Sequence, residues 1–345
     1  MKKFGGLRLY KHKPTIIAEA GVNHDCNMKK AYKLISDAKG CGVEAIKFQT
    51  YKSSELVIKN SPAYWDLKKE KTKTQKELFD KYDKFNSSEY LKIIKECKRK
   101  KITFLTTLFD VQSIPIYSKY LTLFKVASAD ITNVPLLKAI SSQNKPVLLS
   151  TGASQIDEIK FALKTLNLPK EQVCIMHCVL NYPTSDKNAN LMFIETLKNK
   201  FTRHIIGYSD HVSPDDNLTS LEVAWNYGAQ IIEKHFTYNK NKQGNDHYHS
   251  ADKNDLNKLY KRLNKIELLK GSGLKDTRNE KNSIKYARRS IVSKINIKKG
   301  DYFSSKNLTT KRPGIYISAK YWEKVIKRKA KRNIIADTPI QYKDF

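Results

Sequence analysis

The chain has 345 residues, 40% of them hydrophobic, and 65 Lys and Arg against 34 Asp and Glu give a formal net charge of +31. That length allows one large domain plus a small one, and no apolar run approaches the ~18 residues of a membrane-spanning helix. The charge is mostly lysine scattered over helix-like stretches such as residues 91–101, without an RNA-binding aromatic signature, zinc finger or basic heptad, so it reads as solvated surface and not as a nucleic-acid footprint.

The N-terminus is basic but has no apolar core behind it, so no secretory signal is expected. Five cysteines, Cys26, Cys41, Cys97, Cys174 and Cys178, are odd in number and lack CxxC spacing. They point to a reduced, cytoplasmic protein.

In chain order, residues 16–24 form an apolar run that carries Glu19 and turns at Gly21. A helix is expected from Met28, with Ala31, Leu34, Ile35 and Ala38 on one face. Residues 45–50 read as the second strand, with Lys47 in mid-run. A charge inside an apolar strand is costly unless it points into a site or meets a partner, which makes Lys47 a candidate anion ligand. Residues 53–84 are long, polar and broken by Pro62, an excursion suited to cover a barrel mouth as a lid. Ser87, Ser88 and Glu89 then cap a helix through Lys98.

Strands follow at 102–107, 123–128 (with a second lysine, Lys125), 146–152 and 173–178, separated by helices at 111–117, around 136–140 and at 156–166. Cys174 and Cys178 share one face of their strand, where buried thiols are common. Residues 205–211 and 229–237 are two further strand-like runs around a helical stretch at 218–227. They read as parallel neighbours, each ending in a histidine, His211 and His235. Two imidazoles at matching strand ends, each beside a carboxylate (Asp210, Glu233), suit a divalent metal. The loop 244–250 adds Asp246, His247 and His249 close by. Eight alternations of strand and helix predict a closed (β/α)8 TIM barrel, whose carboxyl-end face carries the site. A last helix is expected at 252–269. The expected divisions are a barrel at 1–270, a linker at 271–284 and a small β-rich domain at 285–345.

With these residues in hand, the chain resembles the sialic acid (nonulosonate) synthase family, in which a phosphoenolpyruvate-condensing barrel precedes an antifreeze-like (SAF) domain. The resemblance spans nearly the whole chain. It rests on Ala18-Glu19-Ala20-Gly21, Lys47-Phe48-Gln49, Phe124-Lys125-Val126-Ala127-Ser128, Ser150-Thr151-Gly152, Tyr182-Pro183-Thr184, Ser209-Asp210-His211, Glu233-Lys234-His235-Phe236-Thr237 and Lys311-Arg312-Pro313-Gly314. It implies an enzyme that joins phosphoenolpyruvate to an N-acyl aldose and water, giving a nine-carbon 2-keto acid and phosphate. On that resemblance His211 and His235 hold Mn²⁺ or Mg²⁺. Lys47, Thr107, Lys125, Ser128, Ser150 and Ser209 bind phosphoenolpyruvate, and Gln49, Tyr182 and Asp246 contact the sugar. Glu19 and Glu233 are the candidates for handling the attacking water. Arg312 is implied to reach the sugar in a partner subunit's barrel, through a domain-swapped homodimer. The 53–84 excursion departs from the family pattern and supports no assigned sugar contact.

Two other readings use the same residues. Lys47 or Lys125 as a Schiff-base lysine gives a class I aldolase. A non-enzymatic binding protein, with the antifreeze-like domain as its business end, needs a regular threonine array, and Thr309-Thr310 is not one. No membrane or nucleic-acid partner is expected.

Overall fold

The computed structural model describes residues 2–68, 70–242, 244 and 246–345. Lys69 of the excursion and Asn245 of the 244–250 loop lie outside the described residues. The chain divides into two compact units, Met1–Lys270 and Gly271–Phe345.

The larger unit is a TIM barrel. After a hairpin of β1 (Lys3–Phe4) and β2 (Leu7–Arg8), its strands are β3 (Thr15–Gly21), β4 (Ala45–Thr50), β5 (Thr103–Leu108), β6 (Phe124–Val126), β7 (Val147–Ser150), β8 (Val173–Cys178), β9 (Ile205–Asp210) and β10 (Ile231–His235). They close in the order β10-β3-β4-β5-β6-β7-β8-β9, each parallel to its neighbours. All eight expected strands are present, with shifted ends. The run expected at 123–128 pairs as a strand only over Phe124–Val126, because the chain turns into a 3₁₀ turn at Ser128–Asp130. A helix at Phe193–Lys200 is additional to those expected; it is only eight residues long and buries Ile194 and Leu197.

Strand side chains alternate, and the alternation builds the interior in layers. A lower inward layer is apolar: Ile17, Ala45, Leu105, Leu123, Leu148, Cys174, Met176 and Ile231 form one buried cluster. Phe4 and Leu7 of the hairpin join that cluster and plug the amino-end of the barrel. Two residues further along each strand, on the same inward track, stand Glu19, Lys47, Thr107, Lys125, Ser150, Ser209 and Glu233. The outward track carries Ile16, Ile46, Phe104, Phe124, Val147, Leu149, Ile175 and Ile232, packed under helices such as Met28–Cys41 and Lys253–Lys270.

The excursion at 53–84 contains a helix, Gln75–Tyr82, opened by a capping box between Thr74 and Glu77. Among the described residues no helix is long and apolar enough to cross a membrane.

The smaller unit has one antiparallel pair, β11 (Ser290–Ser293) with β12 (Leu308–Lys311), over a core of Ile291, Ile297, Phe303, Leu308, Val325, Ile334 and Ile340. In this β-rich unit residues 295–301 carry an isolated bridge, Ile297 to Ile334, in place of a strand. The stretch expected as a linker takes up regular structure before residue 285, with a 3₁₀ turn at Arg278–Glu280 and a helix at Lys281–Ala287.

Candidate active site

The polar inward layer opens upward into a cavity of about 440 Å³, in the size range of small-molecule sites. Its floor is a buried charge network. Lys47 Nζ lies 2.5 Å from Glu19 Oε2, donates to Thr107 Oγ1 at 2.8 Å and stands 3.7 Å from Glu233 Oε1. Lys125 Nζ is 3.4 Å from the same Glu233 oxygen, which also accepts from Ser209 Oγ at 3.2 Å. Gln49 Nε2 donates to Glu19 Oε1 at 3.0 Å. Parity explains the assembly: adjacent parallel strands put Glu19 beside Lys47 in register, and Ser209 beside Glu233.

Two lysines and two carboxylates buried together set each other's protonation. Burial works against the Lys47 ammonium, but Glu19 and Glu233 outweigh it and raise its pKa. Burial also pushes Glu233 up, yet Lys125, Lys47 and His235 together hold it down at about 2. Glu19 goes the other way: burial, reinforced by the repulsion of Glu233, outweighs Lys47 and raises it. One carboxylate is thus held as an anion and the other shifted toward holding a proton, the divergence that marks acid–base pairs.

Ser128 Oγ accepts from the Gly152 amide at 2.9 Å, and Ser150 Oγ is buried without a protein partner among the described residues. Gly152 has no room for a side chain, since a Cβ would lie 2.9 Å from Ser128 Oγ and 3.0 Å from the Leu180 nitrogen.

Above this floor sit the imidazoles. The His211 and His235 ring centroids are 5.3 Å apart, with Tyr182 4.2 Å from His211 and 6.0 Å from His235. His211 Nδ1 meets the Val179 carbonyl at 2.7 Å, which assigns the proton to Nδ1 and leaves Nε2 a free lone pair. Asp246 lies with Oδ2 3.3 Å from His235 Nδ1 and Oδ1 3.8 Å from His249 Nε2. Donor atoms of His235, Asp246 and His249 all fall within 4.8 Å of one another. His235 Nδ1 and both His249 nitrogens are buried without a hydrogen-bond partner among the described residues. Buried imidazoles clustered around a carboxylate fit a divalent cation.

Of the two carboxylates beside the strand-end histidines, only Glu233 faces the cavity. Asp210 points outward, because it falls on the opposite parity to His211. It pairs there with Lys234 at 2.6 Å and accepts from Tyr208 Oη at 2.6 Å and the Val212 amide at 3.2 Å. Cys178, read from sequence only as a buried thiol, lines the cavity, with Sγ 3.7 Å from His211 Nδ1. The excursion supplies one wall, with Leu56, Tyr64, Trp65, Leu78, Phe79 and Tyr82 lining the cavity. Arg312 belongs to the smaller unit, where it is exposed between β12 and Pro313.

The NeuB family model matches residues 34–275, and the SAF domain model matches residues 288–345. The chain is 36% identical to the N,N'-diacetyllegionaminic acid synthase of Campylobacter jejuni, over 95% of this chain and 99% of that one. It is 31% identical to the N-acetylneuraminate-9-phosphate synthase of Drosophila melanogaster, over 73% of this chain and 68% of that one. The crystal structure of N-acetylneuraminic acid synthetase from Leptospira borgpetersenii superposes with a TM-score of 0.70 at 32% identity, covering 82% of this chain and 94% of that one.

Proposed function

Because this chain belongs to the NeuB family and carries a SAF domain, we propose that it condenses phosphoenolpyruvate with an N-acyl aldose and water, releasing phosphate and a nine-carbon 2-keto sugar acid in the cytoplasm. The acceptor class is N-acetylmannosamine or a 2,4-diacetamido hexose, in keeping with the acids named for the relatives above. The observation that carries the reading is the single inward layer holding two buried lysines and three hydroxyl residues, with Ser128 just past the end of its strand, beneath an imidazole cluster.

In this reading Lys47 and Lys125, with Thr107, Ser128, Ser150 and Ser209, seat the carboxylate and phosphate of phosphoenolpyruvate by charge-assisted hydrogen bonds. Gln49, Tyr182 and Asp246 orient the sugar above it. A divalent ion, Mn²⁺ or Mg²⁺, held by His211 and His235 would supply Lewis acidity toward the aldehyde oxygen. As C3 of phosphoenolpyruvate bonds to the aldehyde carbon, cationic character grows at C2. Glu233, kept anionic by its lysines, is the group that offsets it. Glu19, with its raised pKa, takes one proton of the water that adds to C2, a proton that balances the one gained by the former aldehyde oxygen as it becomes a hydroxyl. The C2–O bond to phosphate then breaks as the new C2 hydroxyl passes its proton to the departing phosphate, leaving the ketone.

The Schiff-base alternative needs a neutral lysine, and the raised pKa of Lys47 is the reverse of that. The proposal also retains a homodimer in which Arg312 reaches the partner's acceptor. A sedimentation mass of one chain would remove that part.

The deciding experiment is phosphate release from phosphoenolpyruvate against a panel of N-acyl aldoses, with mass analysis of the product. No release with any acceptor rejects the synthase reading. Within it, Lys125→Ala should raise the KM for phosphoenolpyruvate about ten- to a hundredfold, the loss of one charge-assisted contact of about 1.5–3 kcal/mol. The acceptor KM should move far less, and an equal rise in both would remove Lys125 from the anion site. For wild type, kcat/KM should rise with pH through a step above the ordinary carboxyl range, as Glu19 loses its proton. That step should vanish in Glu19→Gln, and its persistence would assign the base elsewhere.

A further inference from the structure

The loop after β10 is anchored with more care than a connecting loop needs. His247 meets Thr237 Oγ1 at 2.7 Å through Nδ1 and Asp25 Oδ1 at 3.3 Å through Nε2. Ser250 Oγ donates to the Asp246 carbonyl at 2.6 Å and accepts from Asn23 Nδ2 at 3.1 Å. The Ala251 amide bonds the His235 carbonyl at 2.8 Å, and the Thr237 amide bonds the Ala251 carbonyl at 2.9 Å.

These contacts fix the backbone on both sides of His249, whose ring nitrogens make no hydrogen bond among the described residues, the nearer carboxylate oxygen being Asp246 Oδ1 at 3.8 Å. His249 is fully buried, its centroid 4.7 Å from that of His235, and neither ring nitrogen has a hydrogen bond among the described residues. A buried imidazole without a partner is costly, and natural proteins rarely keep one without a ligand to satisfy it. Two imidazoles sharing an ion at about 2.1 Å with roughly right-angled to tetrahedral geometry have centroids about 4.5–5.2 Å apart, and the His235–His249 pair falls in that range.

We propose that His249 and Asp246 are themselves ligands of the divalent ion held at His235, giving a centre richer in nitrogen than a pair of strand-end histidines provides. The inference rests on the metal-dependent reading above but concerns residues that reading does not use as ligands. An added imidazole shifts preference away from Mg²⁺, which favours oxygen ligands, toward later first-row ions.

The test is made on metal binding to the full chain, without turnover. Apo protein is titrated with Co²⁺, followed by its visible d–d absorption, and with Mg²⁺ by calorimetry. His249→Ala should weaken Co²⁺ binding by about tenfold or more and change the absorption envelope. Its Mg²⁺ affinity should shift by less than about threefold. X-ray absorption of the Co²⁺-loaded proteins should count one imidazole fewer in the variant than in wild type. His249→Asn, which keeps size and polarity, gives the same comparison if the alanine variant does not fold. An unchanged imidazole count overturns the assignment even if the affinity falls, because His249 would then act only through Asp246. Co²⁺ binding lost in His235→Ala but untouched in His249→Ala overturns it too, while leaving metal dependence standing. A wild type that binds no Co²⁺ overturns both.

Discussion

Lys47→Met should destabilise the protein by about 3–5 kcal/mol near neutral pH and remove phosphoenolpyruvate binding. Lys47 is 2% exposed and lies between Glu19 and Glu233, and taking one member from a buried ionic network leaves the others uncompensated. Glu19 is the member that yields, since its pKa is already raised by burial and by Glu233. Without Lys47 the folded-state pKa of Glu19 rises further above its unfolded value of about 4.3. Between those two values the native form binds more protons than the unfolded one, so stability falls as pH rises through the window. The deficit should therefore be small near pH 4 and full above the folded pKa. Adding Glu19→Gln should recover most of it at neutral pH without restoring turnover. Urea unfolding of the single and double variants across this pH range checks the account. A deficit that ignores both pH and Glu19→Gln would place the cost elsewhere.

Lys234→Met should cost a similar amount, about 3–5 kcal/mol, although Lys234 touches no part of the cavity. Its ammonium pairs with Asp210 on the outer face of the barrel, both groups being almost fully buried. Asp210 and Lys234 are also paired in register between β9 and β10. Each directly precedes a histidine of the site, so the pair fastens together the two strand ends that carry His211 and His235. The variant should lose metal affinity as well as stability. Asp210→Asn with Lys234→Met should return part of the stability, because the buried charge is gone while Tyr208 and the Val212 amide still have an oxygen to bond. Metal affinity in Lys234→Met equal to wild type would show that the pair supports only the fold.

Lys47 and Lys125, and not Lys234, show what is legible in the sequence. Lys47 and Lys125 stood out because a charge in an apolar strand demands a partner, and alternation then fixes which neighbours can serve. The same parity places Glu233, two residues before His235, inside, and Asp210, one residue before His211, outside. Reading both carboxylates as companions of the histidines ignored that rule. Other parts of the site carry no periodic signal. His249 lies on an irregular loop, and its approach to His235 depends on tertiary anchors such as Asn23 and Asp25, more than 200 residues away in sequence. The aromatic wall from the excursion is equally silent, since Tyr64 and Trp65 sit in a lysine-rich stretch that resembles ordinary surface. Cys178 shared a face with Cys174 as expected, but whether a thiol lies in a core or lines a cavity depends on its depth in the barrel.

The plug formed by Phe4 and Leu7 has a consequence for the order of events. With the amino-end filled by that cluster, the cavity formed by the described residues opens at the carboxyl ends of the strands, and reactants are expected to enter and leave by that doorway. The lysine floor is the inner berth, and the level of Gln49, His211 and His235 is the outer one. On the proposed reading a sugar bound in the outer berth would block the inner, so phosphoenolpyruvate is expected to bind first and the sugar second. Departure is then expected to run in reverse, with the sugar acid clearing the doorway before the phosphate. Such traffic is a stack, last in and first out, and it leaves its mark on inhibition patterns: phosphate should compete with phosphoenolpyruvate for the empty enzyme, whereas the acceptor should bind productively only after phosphoenolpyruvate is aboard.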